Sequence, residues 1–173
     1  MEYQIKIIKN IKDVDMVAGI VNEVLKDDFP IYKLKTRLMY RKKIYNNEYF
    51  YKIFKNQDNV ILGCFKDSQL IAFIALKKEA GGAAFIEWLA VTKTYRGIGI
   101  GLALLQAAES WALKHLIHYL HLYTEMPNNI TYYKKRGFKL VGTHKNSWFG
   151  EDENIMAKSL RDKPFEEIFK IKK

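Results

Sequence analysis

Three features of this chain bring together residue types that can do chemistry. The run Arg96-Gly97-Ile98-Gly99-Ile100-Gly101 joins an apolar stretch to a segment with helical periodicity. Glycine lets a backbone turn through positive φ and approach a ligand closely. The first turn of a helix adds N–H groups without intrahelical acceptors and the positive end of the dipole, so such a junction is an anion site. A pyrophosphate suits it, with Arg96 adding charge at the edge; the bland alternative is a tight strand-to-helix turn. Glu87 is the one charged residue in the apolar stretch 83–91. Burial there raises a carboxyl pKa toward the range useful to a general base, although a structural partner can equally hold such a group. Tyr133 lies beside Tyr132 and four residues ahead of Gly137-Phe138.

Two familiar nucleotide loops do not fit. No Gly-Lys-Ser/Thr ends the glycine run, which excludes the phosphate loop of NTPases. The dinucleotide fingerprint Gly-x-Gly-x-x-Gly, started at Gly97, requires glycine where Leu102 stands, and no βαβ unit precedes it.

The elements that must position these residues follow from periodicity. Alternation at Tyr3, Ile5 and Ile7 predicts a first strand. Asn10 or Asp13 caps a helix whose Val14, Val17, Ala18, Val21, Val24 and Leu25 share one face, ending before Pro30. Residues 31–55 read as helix in one or two pieces. Residues 60–66 and 69–77 form a hairpin around Asp67-Ser68. Gly81-Gly82 turns the chain into 83–91, whose apolar character on both faces predicts a central buried strand. A helix from about Gly101 to His115, a strand over 118–124, a short helix capped by Asn128 or Asn129 and stopped by Gly137, and strands over 138–143 and 154–160 complete the order. The segment from Arg161 onward has no clear pattern. A mixed α+β domain follows, without strict βαβ alternation.

Composition bounds the rest. At 173 residues, 49% of them hydrophobic, the chain suits one domain, 1–173, with a sizeable core. Apolar runs fall short of the ~20 residues that span a bilayer, and the start of the chain has no signal-peptide pattern. The single cysteine, Cys64, leaves no internal disulfide and makes a reduced, cytoplasmic setting the default. The net charge of +10 favours anionic partners or simply solubility, and +7 of it falls in residues 31–55, among seven aromatics.

Arg96-x-x-Gly99-x-Gly101 resembles the Arg/Gln-x-x-Gly-x-Gly/Ala signature of the GNAT N-acetyltransferase superfamily. Glu87-Trp88-Leu89-Ala90-Val91 resembles the central strand of that family, and Tyr133-Lys134-Lys135-Arg136-Gly137-Phe138 its second signature, in the family's order. The likeness covers about residues 60–160. It implies a three-layer αβα fold with a mixed, mostly antiparallel sheet of six or seven strands, a splayed parallel pair and helices on both faces. It also implies acetyl-CoA as co-substrate, no metal, and a primary amine as acceptor, acetylated by direct attack in a ternary complex.

The same resemblance implies roles. Pantetheine pairs with the backbone of Leu89 and Val91, on either side of Ala90. The pyrophosphate rests on amides of Gly97, Ile98, Gly99, Ile100, Gly101 and Leu102, beside Arg96. Asn128 or Asn129 holds the pantetheine arm. Tyr133 donates to the leaving thiolate, and a backbone amide near Val91 stabilises the oxyanion. An alkylamine of pKa ~10.4 costs about 4.6 kcal/mol to neutralise at pH 7, so a base or a water chain is needed. Glu87 is the candidate, with Glu125 second.

Other constellations carry less. His115, His118 and His121 recur every three residues, but a helix end followed by a strand sends them apart, against a metal site. Cys64, Trp88 and Trp111 read as core, and His144 as a loop residue that can line the acceptor side. The basic segment 31–55 is either a solvated helical face or a device that helps choose the acceptor. Two other classes compete: a non-catalytic CoA-binding or regulatory module, and a basic nucleic-acid-binding protein, which salt-dependent binding separates. Nucleic acid is the disfavoured partner. The acceptor itself, small molecule or peptide, and the oligomeric state, monomer or homodimer, stay open.

Overall fold

The computed structural model describes residues 2–169; Met1 and residues 170–173, at the end of the patternless tail, lie outside the described residues. The chain forms β1 (Gln4–Ile7), α1 (Ile11–Asp27), α2 (Leu34–Met39), a π-helical turn (Tyr40–Ile44), α3 (Asn47–Lys55), β2 (Asn59–Lys66), β3 (Gln69–Glu79) and β4 (Ala83–Val91). Next come α4 (Ile100–Lys114), β5 (Tyr119–Thr124), α5 (Pro127–Lys134), β6 (Lys139–Trp148) and β7 (Glu151–Ser159). Hydrogen-bonded strands run in the order β1-β2-β3-β4-β5-β7-β6. β4 and β5 pair parallel, while β1–β2, β2–β3, β5–β7 and β6–β7 pair antiparallel. This is the seven-strand mixed α+β sheet that the sequence motifs imply.

The packing divides into two compact units, each built from discontinuous pieces of chain: residues 1–77 with 87–108, and residues 78–86 with 109–173. In the first, α1 starts at Asn10, whose side chain accepts from the Asp13 N–H at 2.9 Å. Such a cap is worth about 1 kcal/mol. The helix buries Val14, Val17, Ala18, Ile20, Val21, Val24 and Leu25, the predicted stripe plus Ile20. Residues 31–55 resolve into three helical pieces. The π-turn closes with the Tyr45 N–H on the Tyr40 carbonyl at 2.7 Å, and Asn46 caps α3. The β2–β3 hairpin turns through Asp67 (φ 48) and Ser68 (φ 64), the left-handed pair that a two-residue hairpin demands. β3 is buried on both faces from Leu70 to Leu76.

In the second unit, β5, β7 and β6 pair through Leu120↔Lys158, Leu122↔Met156 and Leu140↔Met156. The parallel register of β4 with β5 covers Ala83↔Tyr119, Ala84↔Leu120 and Phe85↔His121. At the turn before it, Gly82 accepts the His118 N–H at 2.8 Å, and a Cβ on Gly82 would stand 2.8 Å from the His118 ring.

Three local expectations change. Tyr3 and Ile5 are half-buried between exposed Gln4 and Lys6 as predicted, but Ile7 is exposed while Ile8, beyond the strand, is buried. β4 is not buried on both faces: Ala84, Ile86, Trp88 and Ala90 are buried, while Ala83, Phe85, Glu87, Leu89 and Val91 are only half-buried. An apolar run cannot reveal that a neighbour leaves one face partly open. Neither Asn128 nor Asn129 caps α5: Met126 holds that position, Pro127 follows, and Thr124 Oγ1 accepts from the Met126 N–H at 3.3 Å. Proline is favoured in the first turn because its missing N–H needs no partner there.

Candidate active site

β4 delivers Glu87 into the first unit with its side chain 11% exposed. Its carboxylate lies 2.8 Å from the Lys77 ammonium, which reaches over from β3 and is 35% exposed. Lys77 also donates to the Tyr49 hydroxyl at 3.2 Å and sits 5.2 Å from that ring's centroid. Burial pushes the Glu87 carboxyl up to about 7 and pushes the Lys77 ammonium down. Both shifts favour the neutral forms, whereas the contact between the two groups favours the charged ones. Tyr49 meets Tyr45 edge-on at 5.2 Å, and Tyr45 meets Trp88 edge-on at 4.9 Å. The Trp88 indole N–H is buried with no hydrogen-bond partner in the structure.

Past Val91 the strand ends where the Thr92 N–H bonds the Ile71 carbonyl at 3.0 Å. A single 3₁₀ turn, Lys93–Tyr95, leads to Arg96. Arg96 does not point free toward a ligand. Its Nε donates to the Val91 carbonyl at 2.9 Å, and its two terminal nitrogens grip the Asp28 carboxylate at 2.9 and 2.5 Å. This fork ties the loop to the end of α1. Gly97 (φ 77) and Gly99 (φ 91) adopt left-handed conformations, and a Cβ on either would meet open space. The glycines are therefore required by backbone angle and not by crowding. The first bond of α4 runs from the Ala103 N–H to the Gly99 carbonyl at 3.0 Å. The N–H groups of Ile100, Gly101 and Leu102 thus have no acceptor within the helix. Ile98 and Leu102 are exposed and Ile100 is buried, which pins the loop on one side and opens it on the other.

In the second unit, Tyr133 is buried on α5, edge-on to Tyr132 at 5.2 Å and to Phe138 at 5.4 Å. Burial first, and then Tyr132, push its pKa up, against a smaller opposing effect of Arg136. The hydroxyl stays protonated at physiological pH and is a donor. Gly137 (φ 84) ends the α5 segment, so the Tyr–Gly–Phe spacing is a helix terminus that folds Phe138 back onto Tyr133. Asn129 donates to Thr124 Oγ1 at 3.1 Å; Asn128 and Asn129 are both exposed in the first turn of α5. Glu125 is half-buried just past β5.

Glu87, Leu89, Ala90, Val91, Arg96 and residues 97–102 thus lie along one continuous stretch of the first unit, while Asn128, Asn129 and Tyr133 lie in the second. Lys77, Tyr49, Tyr45 and Asp28 were not visible as site residues in the sequence. Lys77 reads as the polar end of a strand, and nothing local announces its pairing with Glu87. His115 bonds back to Trp111, His121 pairs with Glu79 at 2.7 Å, and no group of three His, Cys, Asp or Glu among the described residues is placed to hold a metal. Cys64 is a free, buried thiol. No helix among the described residues is long and apolar enough to cross a membrane.

Residues 21–138 match the Acetyltransferase (GNAT) family, and the chain belongs to that family. It is 32% identical over 101 residues to streptothricin acetyltransferase of Escherichia coli, covering 57% of this chain and 58% of that protein. It is 38% identical over 90 residues to spermidine N(1)-acetyltransferase of Thermoplasma acidophilum, covering 51% and 55%. The matches span little more than half the length of these curated relatives. Among solved structures it resembles the PaiA N-acetyltransferase of Thermoplasma acidophilum in complex with coenzyme A, with a TM-score of 0.78 and 28% identity, covering 92% of this chain and 99% of that one.

Proposed function

We propose that this protein is an N-acetyltransferase that moves the acetyl group of acetyl-CoA to a primary amine by direct attack. The observation that carries the reading is Glu87: a buried carboxyl near neutrality, on the strand that runs into the glycine loop. A base must lose and regain a proton at working pH, and burial moves this carboxyl toward that range. The amides at 100–102, with Gly97, Ile98 and Gly99, receive the pyrophosphate. Arg96 acts on that site by fixing the loop through Asp28 and Val91, with N–H groups left on its terminal nitrogens for phosphate. The backbone of Leu89, Ala90 and Val91 pairs with the pantetheine arm, and Asn128 or Asn129 steadies it.

In the step itself the amine nitrogen attacks the thioester carbonyl, and its proton passes to Glu87 directly or through water. A backbone amide near Val91 stabilises the developing oxyanion. The C–S bond then breaks, and Tyr133 donates to the thiolate. The whole chain, 1–173, serves as one catalytic domain in this reading, and the reduced Cys64 suits a cytoplasmic setting. One curated relative is named as a spermidine N(1)-acetyltransferase, which favours a small basic acceptor over a peptide. Calorimetry with acetyl-CoA alone, followed by free-thiol release with spermidine, simple alkylamines and peptides, tests this. Binding heat with amine-dependent thiol release is expected. No heat, or thiol release indifferent to every amine, would sink the assignment.

A further inference from the structure

A carboxylate backed by aromatic rings is the set of groups that recognises an ammonium ion. In this protein the set is already filled from within. The Lys77 ammonium stands 2.8 Å from the Glu87 carboxylate, inside the reach of about 2.6–3.2 Å that a base needs to the proton it takes. Any acceptor nitrogen that yields its proton directly to Glu87 must come within the same reach of this carboxylate and so close to the Lys77 charge. Tyr49 braces Lys77 twice, through its hydroxyl at 3.2 Å and its ring at 5.2 Å, within the ~6 Å range of cation–π attraction. Tyr49 is itself fixed, since its N–H is capped by Asn46 at 3.1 Å and its ring abuts Tyr45. Tyr49 from α3 is thus the titratable group seen against the pair, with Tyr45, from the turn ahead of that helix, packed on Tyr49. Glu87 is the inner partner and Lys77 the outer, more exposed one, on a flexible four-carbon stem that can swing toward water.

We propose that Lys77 is a specificity-determining residue: its ammonium occupies Glu87 as an internal stand-in for an acceptor ammonium, and a cationic acceptor binds only in competition with it. The inference rests on the acetyl-transfer reading for the nature of the acceptor, but the competition is measurable without turnover. Two ammonium groups on one carboxylate repel each other, so removing Lys77 opens the seat, whereas Lys77→Arg keeps it filled.

The protein labelled with ¹³C at glutamate carboxyls, with the Glu87 signal identified by its loss in Glu87→Gln, is titrated with n-butylamine at about pH 9, where that amine is still mostly cationic. In Lys77→Met the concentration that half-shifts the Glu87 signal falls about tenfold, and Lys77→Arg stays near wild type. The pH titration of Glu87 in Lys77→Met moves upward, because a neighbouring cation no longer favours the carboxylate. A merely structural lysine would lower the melting temperature and leave the amine titration in place; should Lys77→Met melt early, Lys77→Gln replaces it. Equal amine concentrations in wild type and Lys77→Met, or no response of Glu87 in either, overturn the proposal. Thiol release across the amine panel fails independently if the acetyl-transfer reading is wrong.

Discussion

At the scale of single residues, Glu87 and Tyr133 are both shifted by burial. A carboxyl moved out of water keeps its proton to higher pH, and Glu87 is held near 7 on that account. Its basic form grows as pH rises, so kcat/KM should climb through about pH 7 and level off above. Glu87→Gln should lose that limb and most activity at neutral pH, recovering in part at high pH where free amine accumulates. A pH–rate profile that matches wild type would remove Glu87 as the base. For Tyr133 the same desolvation keeps the phenol protonated and able to donate. Tyr133→Phe should lower turnover by roughly 100-fold with acetyl-CoA affinity little changed, read by single-turnover rates beside calorimetry.

At the scale of elements, the junction of β4 with α4 is organised by backbone angle. Gly99 stands at φ 91 with open space where a Cβ would go. An L-residue there is strained without clashing with anything, so Gly99→Ala should act through the conformation of the loop. Acetyl-CoA affinity should fall about tenfold, for a strain of roughly 1–2 kcal/mol, while far-UV circular dichroism stays unchanged. Unaltered affinity would mean that the amides at 100–102 do not hold the pyrophosphate. The Arg96–Asp28 fork belongs to this scale too. It joins a loop to the end of α1 across 68 residues of sequence, which makes Arg96 a positioning residue as much as a charge.

At the scale of the whole molecule, the net charge of +10 is concentrated in residues 31–55, which fold as α2, a π-turn and α3. Of its aromatics Tyr32, Tyr40 and Phe50 are buried and Tyr45, Tyr49, Tyr51 and Phe54 half-buried, while Lys42 and Lys43 are exposed. If that charge helps select an acceptor, reversing it with Lys42→Glu and Lys43→Glu should change KM for charged acceptors in opposite directions, lowering it for cationic amines and raising it for acidic peptides. Salt should mute both effects. KM values that do not move would leave the segment a solubility feature.

The sequence by itself determined the family and most of the element order, because those depend on local patterns: glycines where φ is positive, a tyrosine one helix turn before Gly-Phe, an apolar stripe on α1, an Asp-Ser hairpin turn. It located Glu87 as an anomaly in an apolar strand. Tertiary structure alone decided what Glu87 touches, since Lys77 reaches it across a strand pair and Tyr49 from a helix, contacts that no local pattern encodes. It also decided that Arg96 is tied to Asp28, that Thr124 and not an asparagine serves the start of α5, and that one face of β4 stays half-open. Hydrophobicity records that a side chain prefers burial, but which neighbours bury it, and which faces they leave uncovered, is set by the packing of segments far apart in the chain.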